Sequence, residues 1–476
     1  MNSPATPFTE RLRSIVGPEG LVTGASERSP YLSDHRRLYQ GEALAIVRPR
    51  STAEVSAVLA LCDAERVGVV PQGGNTSYCG GATPDESGRQ LLLSLARLNR
   101  IRRVDPADDC LVAEAGCLLA EVQRAATQAQ RYFPLSLGSQ GSCQIGGNLS
   151  TNAGGVNVLR YGMTRDLVLG LEVVLADGRI LEALSALRKD NTGYDIKSLF
   201  LGAEGTLGVI TAASLRLFPA LRAHATALVA VADVAAAVAL LARLREASSE
   251  RVSSFELIPR VAVELTVRHV PGVRDPLERA YPWYVLCELS SSRAGDPLEA
   301  LLEESLGEAL SENLVLDAAL ARSERERAAL WHLRETIPEA QRREGVGLKH
   351  DISLPVGALA EFTERAAPLI ESLIPDGYLV AYGHVGDGNL HFNVSAAAGA
   401  DAASFLARGE SVRRAVHDLV REFGGSFSAE HGVGQLKVGE LERYASPTEL
   451  ALMRAVKQAL DPHGIMNPGK VLRGQA

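Results

Sequence analysis

The chain has 476 residues, 46% of them hydrophobic and 22% charged, with a formal net charge of -8. One hydrophobic core does not fill that length, so two or three domains are expected, and the acidic balance excludes a phosphate-neutralising nucleic-acid surface. The six cysteines, Cys62, Cys79, Cys110, Cys117, Cys143 and Cys287, form no C-x-x-C pair, which argues against a disulfide framework or a zinc ribbon and for buried thiols in a reducing cytoplasm.

The N-terminus lacks an apolar run flanked by positive charge, so no secretory signal is expected and the mature chain is read as beginning near Met1. Residues 1–40 read as an N-terminal helical segment. From "EALAIVRPRSTAEVSAVLALCDAERVGVVPQGGNTS" follow a strand ending near Arg48, a helix opened by the capping box Ser51 to Glu54, and a second strand, "VGVVP". Gly73 and Gly74 then allow a tight turn that presents successive N–H groups. A second glycine-rich stretch runs from Pro134 to Gly155, and the apolar runs between and after these loops, bounded by Gly or Asp-Gly turns, make this half strand-rich.

The character changes around Pro219, which sets a domain boundary near residue 221. "HATALVAVADVAAAVALLARL" reads as a strand, Ala225 to Ala232, and a helix capped by Asp233, rather than as a membrane span. Long Arg/Glu/Ala/Leu helices are expected to about residue 375, and the tail carries one amphipathic helix around Leu450 to Leu460.

"GHVGDGNLHFN", Gly383 to Asn393, holds two histidines seven residues apart. On a helix they would stand roughly 10 Å apart, and Gly-Asp-Gly does not favour a helix. With Asp387-Gly388 as the two-residue loop of a type I′ hairpin, His384 pairs with His391 and both face one divalent ion, with Asn393 pointing the same way. "SAEHGVG" offers Glu430 as a third ligand beside His431, and two histidines with a glutamate and an open position form a catalytic ligand set. The residues alone leave open a second reading, a hairpin with incidental surface histidines.

Neither glycine stretch is a G-x-G-x-x-G dinucleotide fingerprint or a Walker loop. "PQGGNTS", "GSCQIGGNLSTNAGG", "YGMTRDLVLGLEVVLADG" and "GAEGTLGVIT" nevertheless resemble, in order from about residue 41 to 220, the FAD-binding segments of the p-cresol methylhydroxylase (PCMH) and vanillyl-alcohol oxidase superfamily. The resemblance implies FAD with its pyrophosphate over Gly73, Gly74, Asn75 and Thr76, and its flavin near Gly147, Asn148, Thr151, Asn152 and Ile210. Pro71, Gly138, Gly141, Ser142, Gly155, Glu204, Gly208 and Asn467 are the further cofactor-binding positions it implies. Asn75 stands where covalently flavinylated members carry a histidine, so the FAD is expected to be non-covalent.

"WHLRETIPEAQRREGVGLKHDISLP", "GHVGDGNLHFN", "SAEHGVG" and "NPGKVL" are similar to motifs of the FAD-linked D-2-hydroxyacid dehydrogenases, most closely the members that oxidise D-2-hydroxyglutarate. That resemblance implies an α+β architecture. It comprises a two-part PCMH-type FAD-binding domain over 41–220, an α/β, ferredoxin-like substrate or cap domain over 221–425, and a helical C-terminal segment, 426–476, returning to the flavin site. It implies zinc or a similar divalent ion on His384, His391 and Glu430, and substrate contacts from Arg334, Lys349, Asn393 and His431; since a neutral histidine can take the proton of a metal-polarised alcohol, His431 is assigned as the catalytic base. Pro338 departs from a substrate-contacting threonine found in some members, which leaves open the choice among D-2-hydroxyglutarate, malate and lactate. An FAD-linked D-lactate or glycolate dehydrogenase and a non-catalytic flavin-binding subunit are the competing readings. Expected partners are a small 2-hydroxy acid, an electron acceptor such as electron-transfer flavoprotein or a quinone-linked carrier, and a second copy in a homodimer; neither nucleic acid nor a membrane span is expected.

Overall fold

The computed structural model describes residues 7–474 and divides into two compact units. The first comprises the chain up to Gly155, Met163–Ala220 and the segment from Glu430 onward. The second comprises Val156–Gly162 and Leu221–Ala429.

In the first unit, Ala45–Val47 and Val69–Gln72 both run parallel to Leu91–Ser94, which lies between them. The helix joining the outer two, Thr52–Glu65, starts as its capping residues require, with the Ser51 side chain accepting the Glu54 N–H. Leu21–Val22 adds an antiparallel edge against Ile46 and Val47. The segment read as helical contributes the helices Pro7–Val16 and Ala25–Leu32 and, with them, this short strand. A second, antiparallel sheet of five strands is centred on Val209–Arg216, flanked by Cys110–Glu114 and Val168–Val174.

The C-terminal segment completes this unit. Met466 forms a parallel bridge to Val69, and the Pro447–Leu460 helix opens on a Ser446/Glu449 capping box. Its Lys457 Nζ donates to Thr206 O at 2.7 Å and Met466 O at 2.7 Å and pairs with the buried Asp461 at 2.6 Å.

The second unit is built on an antiparallel sheet ordered Val252–Pro259, Trp283–Ser291, Ala223–Val231, Asp317–Leu320. Alternation along Ala223–Val231 sends Ala227, Val229 and Val231 into one core with the Val234–Ser248 and Leu298–Ser311 helices, and Leu228 and Ala230 into another with Arg260–His269 and Ile337–Glu344. Asp233 caps the first helix by accepting the Ala236 N–H at 2.7 Å. The stretch expected to be a run of helices to about 375 thus also supplies strands, because Trp283–Ser291 is buried on both faces and carries no amphipathic pattern.

A smaller sheet places Asn389–Ala396 between Gly377–Tyr382 and the short strands Gly347–Leu348 and Asp351–Ser353. Gly383 stitches the two sheets, exchanging backbone hydrogen bonds of 2.8 and 3.0 Å with Leu257. No helix among the described residues is long and apolar enough to cross a membrane.

Candidate active site

The two histidines of "GHVGDGNLHFN" do come together, but not through a two-residue hairpin. The strands Gly377–Tyr382 and Asn389–Ala396 pair with Tyr382, not His384, opposite His391. Residues 383–388 form a six-residue connection, in which Gly388 has φ 86° and Asp387 is not among the positive-φ residues, so the type I′ turn is absent. The physical reason is Gly383, whose backbone is taken by Leu257, which ends the ladder early. Gly388 is required where it stands, since a side chain there would overlap Leu354 O. The connection curls His384 back so that its ring lies 5.6 Å from the His391 ring, nearly perpendicular to it.

Alternation along Asn389–Ala396 buries Leu390, Phe392 and Val394 in the core and puts Asn389, His391, Asn393 and Ser395 on the opposite, polar face. His391 is flanked by Tyr382, ring to ring at 5.1 Å, and by Asp351 across the sheet, 3.9 Å away. Asn393 is buried; its amide donates to Gln341 at 3.0 Å and its carbonyl accepts the His350 N–H at 3.3 Å. Lys349 is exposed, between the two short strands.

Arg334, expected to meet a substrate carboxylate, is only 6% exposed and is paired with Glu256, Nε at 2.9 Å and Nη2 at 2.7 Å. The other carboxylate oxygen of Glu256 lies 2.7 Å from His384 Nδ1. Burial pushes the Glu256 carboxyl up, but the opposing charges of His384 and Arg334 and their hydrogen bonds more than reverse this and hold it at about 2. Sequence reasoning missed Glu256. The available signal was a lone acid inside "VSSFELIP", a strand buried at every position, because a buried carboxylate demands partners.

In the first unit, Glu430 Oε1 accepts the Gly155 N–H at 2.6 Å, and His431 stacks on Tyr78 with ring centroids 4.6 Å apart. Glu204 accepts the N–H groups of Val433 at 2.7 Å and Gly434 at 2.8 Å, fixing the loop that carries both residues. Burial pushes the Glu204 carboxyl up against the pull of those N–H groups and of Lys437.

The glycine-rich loops meet at Gly74, where a side chain would overlap Ser142 O. Gly73 lies beside Gln144, and Gly155 packs on Ser136 O so closely that a side chain would overlap it. Gly138, Gly141 and Gly147 face open space. Asn75, with φ 54°, uses its amide to hold Ser33 O at 2.8 Å. Asn152 accepts the Arg165 N–H at 2.9 Å, Thr151 donates to Gly147 O at 3.0 Å, and Asn148 is buried against Cys143. Ile210 lies near the start of the buried Val209–Arg216 strand and Gly208 just before it, and Pro71 contacts the loop at Gly205. Thr76 is partly buried in the first glycine loop. Asn467 donates to Gly81 O at 2.9 Å and Glu204 O at 2.7 Å, while its Oδ1 and Gln144 Oε1 are buried without a hydrogen-bond partner. Two unsatisfied acceptors and small-residue loops backed by N–H groups are what a polar, phosphate-bearing cofactor would complete.

An α+β chain with these loops is a flavoprotein of the PCMH-type fold. Residues 43–184 match the FAD binding domain family and residues 220–471 the C-terminal domain of FAD linked oxidases. The crystal structure of p-cresol methylhydroxylase with substrate bound superposes with a TM-score of 0.74 at 14% identity, covering 98% of this chain and 96% of that one, which establishes the fold. The chain is 37% identical to the mitochondrial D-2-hydroxyglutarate dehydrogenase of Arabidopsis thaliana over 97% of its own length and 80% of the relative's. It is 41% identical to the mitochondrial D-2-hydroxyglutarate dehydrogenase of Bos taurus, over 96% of this chain and 82% of that one. The chain therefore belongs to the FAD-linked oxidase and dehydrogenase family that contains the D-2-hydroxyglutarate dehydrogenases.

Proposed function

We propose that the protein is an FAD- and divalent-metal-dependent dehydrogenase that oxidises D-2-hydroxyglutarate to the corresponding 2-oxo acid. The observation that carries this reading is 37% and 41% identity, over nearly the whole chain, to enzymes that bear that name. FAD is held without a covalent bond by the loops at Gly73, Gly74 and Gly147, with Asn467 and Gln144 completing its polar contacts. Bound FAD supplies the acceptor for the C2 hydride.

The donor set of His384, His391 and Glu430 suits zinc or a similar ion, with Nδ1 of His384 turned to Glu256 at 2.7 Å and ligation assigned to Nε2. Such an ion supplies Lewis acidity that lowers the pKa of the substrate hydroxyl. His431 accepts the hydroxyl proton on a ring nitrogen, and its stacking on Tyr78 sets the ring plane. Arg334, through the Nη1 edge that Glu256 does not use, and Lys349 receive the two carboxylates, with Asn393 beside them. The electrons leave for electron-transfer flavoprotein or a quinone-linked carrier.

The test is turnover of D-2-hydroxyglutarate, D-malate, D-lactate and glycolate by the purified protein with an artificial acceptor, with metal analysis alongside. Preference for the five-carbon diacid in protein carrying about one divalent ion per chain supports the reading. Preference for D-lactate or glycolate overturns the substrate, and no turnover of any overturns the enzyme.

A further inference from the structure

Glu256 lies in the Val252–Pro259 strand, every residue of which is buried. A lone carboxylate at that depth is costly, and two donors of different purpose share this one. Its Oε1 faces His384 Nδ1 at 2.7 Å, and its Oε2 takes both Nε and Nη2 of Arg334. A carboxylate bonded to a guanidinium is ionised and can only accept. In the neutral imidazole that a metal ligand must be, Nδ1 of His384 therefore carries the ring hydrogen toward Glu256, and the ligating lone pair is that of Nε2.

The same anion holds the Arg334 guanidinium over the Tyr382 ring, 5.0 Å from its centroid. Tyr382 in turn packs on His391 at 5.1 Å, and His391 on His384 at 5.6 Å. The five side chains close a circuit in which Glu256 joins His384 and Arg334 directly, by hydrogen bonds to both. Replacing it would leave His384 free to change tautomer and Arg334 a buried cation without its anion.

We infer that Glu256 is a positioning residue that fixes His384 as a metal ligand and Arg334 as a carboxylate receptor through one shared carboxylate. The inference rests on the metal reading proposed above.

The experiment is a chelator titration of purified, flavin-containing protein, reading bound metal by elemental analysis rather than by activity. Glu256→Gln is expected to release its ion at about 10- to 100-fold lower chelator concentration than wild type, with flavin absorbance retained. If that variant does not fold, because Arg334 is left uncompensated, the double variant Glu256→Gln/Arg334→Met removes both charges and is read the same way. Metal retention like that of wild type in either folded variant overturns the inference alone. Wild-type protein that holds no divalent ion overturns the metal reading and the inference with it.

Discussion

Glu430 and Gly155 are joined by a 2.6 Å hydrogen bond from the Gly155 N–H to the Glu430 carboxylate. The proposed metal-binding acid is thus anchored to the second glycine-rich loop, and the neighbouring Gly154 leaves no room for a side chain, since a Cβ there would stand 2.5 Å from Glu430 Oε1. Gly154→Ala is expected to push the carboxylate aside and to weaken metal retention about tenfold or more while the fold persists. Glu430→Ala removes the ligand and is expected to cost more. Metal content and kcat/KM measured on both variants check this, and a Gly154→Ala protein indistinguishable from wild type would count against it.

Removing the proposed ion is expected to separate its role from that of the flavin. Dialysis against a strong chelator should abolish turnover of D-2-hydroxyglutarate while the visible flavin spectrum stays, because the flavin contacts proposed above use none of the three ligands. Adding back zinc, cobalt or manganese should restore activity. Full activity in verified metal-free protein would refute the metal role.

Tyr78 is expected to act on kcat more than on KM. Its ring lies 4.6 Å from that of His431 at 26°, a stack worth about 0.5–1.5 kcal/mol. Tyr78→Leu leaves the apolar bulk but not the stack, and a fall in kcat of about three- to tenfold follows if the imidazole loses its orientation. An unchanged kcat with a raised KM would place Tyr78 in substrate binding instead.

Acid stability of the second unit is expected to depend on Glu288. Burial pushes this carboxyl up, but the His224 ring 3.6 Å away, hydrogen bonds from Arg327 and Trp331, and the Arg327 charge hold it at about 2. Arg327 donates from Nε at 2.8 Å and Nη2 at 3.0 Å, and Trp331 Nε1 at 2.9 Å. Because the folded pKa lies below the unfolded value of about 4.3, the stabilisation is fully present above that value and is lost as pH falls toward 2. On that basis it amounts to about 3 kcal/mol. Glu288→Gln should be less stable than wild type at pH near 7, and the gap should narrow on acidification. Urea unfolding at neutral pH and at about pH 3 measures it, and a gap that widens in acid would reverse the assignment.

Lys457 is expected to hold the C-terminal segment in place. Its ammonium bridges Thr206 O, Met466 O and the buried Asp461, so Lys457→Met leaves that carboxylate without its cation, held only by the Ile465 and Met466 N–H groups, at a cost of about 3 kcal/mol. Thermal unfolding and FAD retention on gel filtration should both decline; loss of neither would show the bridge to be dispensable.

Much of this was legible in the sequence because it is local. The Ser51 and Asp233 caps and the glycine loops depend on neighbours a few residues away, and each appears where its residue type requires. The Asp-Gly turn misled because the chemistry of two residues was weighed without Gly383, whose partner, Leu257, is more than a hundred residues distant. Arg334 on a charged helix reads as solvated, and nothing local shows that Glu256 lies beneath it. Residues 156–162 were read with the flavin segments around them, but Leu159 packs in the core of the second unit and Arg160 donates to Ser290 there.

The return of the C-terminal segment sets the order in which the molecule can be finished during synthesis. Apart from a seven-residue excursion, the second unit is contiguous and complete once Ala429 has emerged. The first unit contains the earliest residues made, yet Val69 still lacks Met466, Glu204 lacks Val433 and Gly434, and the Gly155 N–H lacks Glu430. At about 5–20 residues per second the nascent flavin unit waits, open-edged, for its last piece. A chain terminated before residue 430 would therefore lack the partners of Val69, Glu204 and the Gly155 N–H in its first unit.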